Sequence, residues 1–264
     1  MSEQFIFKRY EIKYMVTKKQ RELIKQAFAE HMIADEHGKS TILSLYYDTP
    51  DFHLIRKSLE HPAYKEKLRL RSYGLAGDDT KVFIELKKKY DSVVYKRRIG
   101  MTKTEAMDYL NSGALKEESQ ISREIDYFLG LYGNLHPAVL LSYDREAFYD
   151  RDDHEFRITF DDNILWRDQD VTLDSGIYGK AILPEGKVLM EVKTAEAMPL
   201  WFVKILTQNG IYQTSFSKYG TAYTEIFKEA MQNRQMEPVK KFADNTVDWK
   251  TIYNRKAKGG YRYA

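Results

Sequence analysis

The 264-residue sequence predicts an α+β fold in which a closed antiparallel β-barrel carries packing helices on its outside. Three observations predict it. About nine segments rich in β-branched and aromatic residues alternate with a period of two, as half-buried strands do. Short turn signals such as Gly77-Asp78-Asp79, Asp161-Asp162-Asn163 and Leu183-Pro184-Glu185-Gly186 separate them, and short connections favour antiparallel neighbours. The helical segments between them keep their apolar residues on one stripe, ready to lie on a sheet.

Taken in order, the strands are expected over Phe5–Val16, Ile42–Asp48, Lys65–Tyr73, Lys81–Lys89, Val93–Met101, Ala138–Tyr149, Glu155–Asp162, Ile164–Asp170 and Lys187–Thr194. Thr17–His31 reads as the first helix, because Thr17 and Gln20 form a capping-box pattern ahead of Leu23, Ile24 and Phe28. Thr102–Leu110 repeats the device with Glu105, and Ser122–Tyr132 carries Ile125, Phe128, Leu129 and Tyr132 at helical spacing. Pro199 starts a helix through Leu206 that Gly210 closes, and Ser217–Asn233 is the longest late helix. From Glu237 the chain is polar and basic, so one domain over 1–236 and a tail over 237–264 are expected.

Composition narrows the chemistry. Forty-two basic and 39 acidic residues leave a net charge of only +3, which does not describe a general nucleic-acid or membrane-surface binder. With no cysteine, thiolate nucleophiles, disulfides and Cys-based zinc sites are excluded. The six histidines show no metal-ligand spacing, and the glycines form no phosphate loop of the GxxxxGK type. No run of about 18 apolar residues occurs, so no membrane segment and a cytoplasmic location are expected.

In a strand, residues two apart share a face. Lys67, Arg69 and Arg71 therefore lie opposite Leu68 and Leu70, and Glu85 and Lys87 opposite Ile84 and Leu86. Glu11 with Lys13, Lys96 with Arg98, Arg157 with Thr159 and Asp161, and Glu191 with Lys193 follow the same rule. Any one pair is what a solvated sheet face shows. If helices cover the apolar face, however, the charged face points either to open solvent or into a closed barrel. Closure would converge Lys13, Arg69, Arg71, Lys87, Lys96, Arg98, Arg145, Arg157 and Lys193 against Glu11, Glu85, Glu191 and Asp161. Uncompensated cations at that density are costly, so the expected ligand is thin and multiply negative. Phosphate chains fit, since arginine offers a bidentate fork and lysine a point charge to their oxygens.

In the order Arg9-Tyr-Glu-Ile-Lys-Tyr14, Tyr47-Asp-Thr-Pro50, Leu68-Arg-Leu-Arg71, Phe83-Ile-Glu-Leu-Lys87, Tyr95-Lys-Arg-Arg98, Tyr143-Asp-Arg145, Arg157-Ile-Thr-Phe-Asp161, Met190-Glu-Val-Lys193 and Ser215-Phe-Ser-Lys-Tyr-Gly220, the sequence resembles the polyphosphate polymerase (VTC) domain of the triphosphate tunnel metalloenzyme, or CYTH-like, superfamily. The resemblance runs from about Phe7 to Phe227. It implies an eight-stranded tunnel that binds a triphosphate with Mn²⁺ or Mg²⁺ and transfers the γ-phosphoryl group of ATP to inorganic polyphosphate. By motif, Lys13, Arg69, Arg71, Lys87, Arg145, Arg157 and Lys193 would carry the transfer. Lys96, Arg98, Ser217, Lys218, Glu11 and Glu85 would contact substrate, and Glu191 would hold the metal. One departure bears on the branch. The triphosphatase and cyclase branches resemble Glu-x-Glu-x-Lys on the first strand, whereas Arg9 stands in place of the first carboxylate here. Two further expectations remain beside the polymerase: a tripolyphosphatase or nucleoside triphosphatase, and a polyphosphate-binding module without catalysis.

Overall fold

The computed structural model describes residues 10–90, 93–112 and 119–236. The expected tail, 237–264, and the start of the first expected strand, Phe5–Arg9, lie outside the described residues. Contacts divide the chain into a unit over Met1–Ile226 and another over Phe227–Ala264. The first unit carries the sheet and the concave face described below.

Strands β1 (Tyr10–Thr17), β2 (Met32–Asp48), β3 (Tyr64–Tyr73), β4 (Lys81–Tyr90), β5 (Val93–Thr102), β6 (His136–Asp150), β7 (Arg157–Arg167), β8 (Lys180–Ala181) and β9 (Lys187–Thr194) form one antiparallel sheet. Its order is β1-β9-β7-β6-β2-β3-β4-β5, with the two-residue β8 beside β7. The expected closed eight-stranded barrel is thereby corrected: β1 and β5 are the two ends of an open, curled sheet, and among the described residues no ladder joins them. The reason lies at the edge of β1. The Thr214 amide donates to the Lys13 carbonyl at 2.7 Å, and Tyr14 forms an isolated bridge with Gln213. Backbone groups that would complete a barrel are satisfied by this nearby segment, which also blunts an otherwise open edge. Curling still brings side chains across the gap, since Lys87 Nζ on β4 donates to Glu11 on β1 at 3.2 Å.

Helices α1 (Lys18–His31), α2 (His53–Leu59), α3 (Lys103–Ser112), α4 (Gln120–Tyr132), α5 (Leu200–Gln208) and α6 (Lys218–Met236) supply the outer layer. The capping box of α1 forms as its sequence predicts, with the Gln20 amide donating to Thr17 Oγ1 at 3.1 Å and the Thr17 amide to Gln20 Oε1 at 2.9 Å. Thr102 and Glu105 cap α3 in the same reciprocal way. At α4 a capping box forms between Ser119 and Ser122, so the helix starts at Gln120, two residues ahead of the expected Ser122. No helix is expected from the sequence over α2. The helix forms because the buried Asp48 carboxylate accepts the Leu54 and Ile55 amides, at 2.8 and 3.0 Å, and the Tyr219 hydroxyl at 2.8 Å. None of the helices in the described residues is long and apolar enough to cross a membrane.

Each apolar strand face meets a helix. Leu68, Leu70, Ile84 and Leu86 pack with Tyr109, Ile125 and Phe128. Val16, Ile158, Phe160, Met190 and Val192 pack with Ile24, Phe28 and Phe202. Burying the apolar face in this way commits the alternate residues to the concave face. Two strand expectations change. β7 is continuous through Asp161-Asp162-Asn163, because Asn163, at φ 48°, sits in a bulge where the register slips between Ser142 and Asp144 of β6. The turn signal in the sequence was a bulge signal. β2 begins ten residues before Ile42 and itself contains an irregularity between Ala34 and Lys39.

Candidate anion-binding site

The concave face is built row by row from strand register. Lys67 pairs with Lys87, which pairs with Lys96; Arg69 pairs with Glu85, which pairs with Arg98; Arg71 lies between Ser44 and Phe83. Across the sheet, Arg157 pairs with Lys193 and Lys193 with Glu11, Glu191 pairs with Lys13, and Arg145 with Asp161. The sidedness expected from the period-two pattern therefore holds, although the ring of strands does not close. One part of the face departs from it. Ile42, Tyr143, Ile164 and Leu189 form a small apolar cluster with Met15 and Phe216, so the lining is not polar throughout.

Four carboxylates on this face, Glu11, Glu85, Asp161 and Glu191, are hubs for several cations each. Glu85, fully buried, lies 2.7 Å from Arg69 Nη2 and from Lys96 Nζ, 3.5 Å from Arg98 Nε and 3.7 Å from Arg71 Nε. Asp161 accepts a two-pronged contact from Arg145, at 2.6 and 2.7 Å, and lies 2.5 Å from Lys218 Nζ. Glu191 is 3.0 Å from Lys218, 3.4 Å from Arg145 and 3.8 Å from Lys13. Glu11 faces Lys87 and Lys13. Burial opposes ionisation of all four, but the cations outweigh it and hold them ionised. Glu11 falls to about 2, and Glu85, Asp161 and Glu191 lie below the ordinary carboxylate range.

The cations outnumber these hubs, and the strain shows on the lysines. Burial, reinforced by Lys87, Lys13 and Lys65 against the pull of Tyr46, lowers Lys67 to about 8. Burial together with Arg71 and Arg69 lowers Lys96 to about 8 even though Glu85 opposes it. A cavity of about 270 Å³ collects Arg71, Lys96, Arg145, Arg157 and Lys193 with Ser40 and Thr159. Within this face, Arg71 Nε, Ser44 Oγ and Thr159 Oγ1 are buried without a hydrogen-bond partner. Such atoms are uncommon in folded proteins and call for a partner such as water, an ion or a ligand.

Five of the expected site residues, Arg71, Lys96, Arg145, Arg157 and Lys193, thus line one cavity. Arg69, Glu85 and Arg98 form the neighbouring row. Lys13, Lys87, Glu11, Glu191 and Lys218 meet where β1, β4 and the start of α6 converge; there Lys13 Nζ also donates to the Phe216 carbonyl at 2.8 Å. Ser217 Oγ caps α6 by accepting the Gly220 amide and accepts from Lys67 Nζ at 3.2 Å. Sequence reasoning missed two tyrosines. Tyr46 OH accepts from Arg69 Nη1 at 3.0 Å, and Tyr143 OH accepts from Arg71 Nη2 at 3.1 Å. Burial pushes the Tyr46 phenol up, but Arg69, Lys67 and Arg71 bring it down to about 8. The available signal was that Tyr46 shares a strand face with Ser44, though only register shows that this face is the basic one.

No group of three histidine, aspartate or glutamate side chains among the described residues is placed to hold a metal ion. The donor set therefore does not make an all-protein metal cage. An ion carried in on phosphate oxygens needs only one or two carboxylates from the protein, and Glu191, expected to hold the metal, lies on this face among Lys13, Arg145 and Lys218.

Comparison with curated proteins returned no match. Among solved structures, the chain is similar to a "putative adenylate cyclase" from Bacillus halodurans, at 17% identity and a TM-score of 0.49, covering 80% of this chain and 94% of that one. It is also similar to one of the same description from Vibrio parahaemolyticus, at 12% identity and a TM-score of 0.45, covering 83% and 99%. The sequence profile of the VTC domain matches residues 8–227, a span that takes in every strand and every basic residue of the concave face described above. The chain belongs to the VTC domain family.

Proposed function

We propose that the protein transfers the γ-phosphoryl group of ATP to the end of an inorganic polyphosphate chain. The observation that carries this reading is the cavity in which Arg71, Lys96, Arg145, Arg157 and Lys193 converge beside buried donors without partners. Phosphoryl transfer asks little covalent chemistry of a protein; it asks for in-line positioning and for neutralisation of the charge on the transferring group. Arginine forks and lysine point charges hold consecutive phosphates in register. A terminal oxygen of the polyphosphate attacks the γ-phosphorus, the bond from that phosphorus to the β,γ-bridging oxygen breaks, and ADP leaves with the electron pair on its β-phosphate. The attacking oxygen is ionised at neutral pH, so no strong general base is required. This suits a site in which Glu11, Glu85, Asp161 and Glu191 are engaged by cations. Mg²⁺ or Mn²⁺ bound with the phosphates, with Glu191 and Glu11 as its protein ligands, would supply further charge neutralisation at the transferred group.

The test is incubation of the purified protein with ATP and Mg²⁺ or Mn²⁺, with and without a short polyphosphate primer, resolving products by gel and by orthophosphate release. Chain growth with ADP is expected. Orthophosphate without chain growth would replace the polymerase by a triphosphatase, and binding without turnover would leave a polyphosphate-binding module.

The shifted lysines give a pH dependence. Bound polyanion favours the protonated form of Lys67 and Lys96, so binding takes up protons wherever these groups are partly neutral. Tripolyphosphate affinity is expected to fall as pH rises through about 8, by at most about tenfold per pH unit for each lysine. The Tyr46 phenol, which becomes anionic in the same range, acts in the same direction. Titration calorimetry from pH 7 to 9.5 checks this, and Lys96→Arg should flatten the slope. In the free protein the sign reverses: the unfolded chain keeps its lysines protonated to their ordinary pKa, so these groups add stability as pH rises above about 8.

A further inference from the structure

One part of the concave face is not explained by phosphate. On β4 the alternation Phe83, Glu85, Lys87 places a phenyl ring at the end of a charged row, and on β3 Tyr73 follows Arg71 on the same face. The two rings meet edge to face, with centroids 5.9 Å apart. The Arg98 guanidinium lies 3.4 Å over the Phe83 ring and 5.6 Å from the Tyr73 ring, and its Nη2 donates to Tyr73 OH at 3.1 Å. Gly100 stands opposite Phe83 in the ladder, where an added Cβ would come within 3.1 Å of the ring, so a glycine there leaves the ring its place. Ser40, Tyr73, Phe83 and Arg98 line a second cavity of about 460 Å³. Ser40 and Tyr73 also line the cationic cavity, so the two adjoin.

We infer that this second cavity holds the nucleobase of the donor, with Arg98 and Tyr73 as its stacking platform, while the triphosphate lies in the adjoining cationic cavity. The inference rests on the phosphoryl-donor reading above and adds what an inorganic chain cannot use. Polyphosphate has no flat apolar face, whereas every base has one, and bases stack on tyrosine rings and arginine guanidinium planes. Arg98, expected from its motif to contact substrate, lies 3.5 Å from Glu85 with its guanidinium over the Phe83 ring, beside Tyr73. Of the four residues that line this cavity, Phe83 has no polar group, Tyr73 OH is engaged by Arg98, and Ser40 carries a small hydroxyl. The platform therefore reads the presence of a base rather than its identity, and ATP and GTP are expected to bind alike.

Titration calorimetry of ATP and of inorganic tripolyphosphate to the full chain, to Tyr73→Ala and to Tyr73→Phe tests this. Tyr73 is half exposed, so its truncation leaves the core intact, which the thermal midpoint of each variant verifies. Tyr73→Ala is expected to weaken ATP about 5- to 100-fold relative to tripolyphosphate, and Tyr73→Phe to keep the parent ratio within about threefold, because stacking needs the ring and not the hydroxyl. An unchanged ratio of the two ligands in Tyr73→Ala, whether both weaken or neither does, would overturn the base site while leaving the phosphate site standing. Absence of binding by both ligands to the parent protein would overturn the phosphoryl-donor reading and this inference with it.

Discussion

Arg71→Ala is expected to weaken tripolyphosphate binding by about 10- to 100-fold, the worth of one to two charge-assisted hydrogen bonds in a desolvated cavity. Arg71 is a cavity arginine with a buried donor to spare. Its Nη2 is engaged by Tyr143 OH, whereas Nε is buried without a hydrogen-bond partner and only within ion-pair range of Glu85. Arg145, by comparison, spends its fork on Asp161. Arg71→Lys keeps the charge and loses the fork, so it should recover only part of the affinity. Calorimetry with tripolyphosphate measures both, and an affinity within twofold of the parent in Arg71→Ala would place the phosphates elsewhere on the molecule.

Glu85→Gln is expected to lower the unfolding free energy by roughly 3–5 kcal/mol in the absence of ligand, the range for removing one member of a buried ion-pair network. Glu85 is the common counter-ion of Arg69, Arg71, Lys96 and Arg98, and neutralising it leaves their repulsion unbalanced. Its carboxyl titrates below the ordinary range, because those cations overcome the effect of burial. The stabilisation it provides is therefore present above the usual glutamate pKa and is lost as pH falls into the strongly acid range. A polyanion can take over the same counter-ion role. Denaturant unfolding of Glu85→Gln should thus recover with added tripolyphosphate more steeply than the parent does, and the variant should bind tripolyphosphate more tightly. A loss below about 1 kcal/mol without ligand would show that the four cations do not depend on Glu85.

Much of the site was legible because strand sidedness is local. Leu68 and Leu70 had to go to the helices once α3 and α4 formed, and Arg69 and Arg71 then had to face the other way. The helix caps at Thr17 and Thr102 were legible for the same reason, since each is closed by residues three apart. Tyr46 and Tyr143 were not legible. A tyrosine in an alternating strand reads equally well as core, and only cross-strand register puts Tyr46 beside Arg69 and Tyr143 beside Arg71. The bulge at Asn163 misled in the opposite sense, because a residue at positive φ inside a strand carries the same composition as a turn.

By itself, then, the sequence determined which residues share a face, where α1 and α3 begin, and that the polar face is rich in paired cations. Tertiary structure alone decided that the sheet stays open, because the segment carrying Gln213 and Thr214 takes the edge of β1 that a barrel would have used. It alone decided which cations Glu85, Asp161 and Glu191 neutralise and which donors they leave over. Sidedness follows from a two-residue repeat in the chain, whereas edge pairing and charge neutralisation depend on contacts between residues far apart in sequence, whose competition is settled only when the sheet curls.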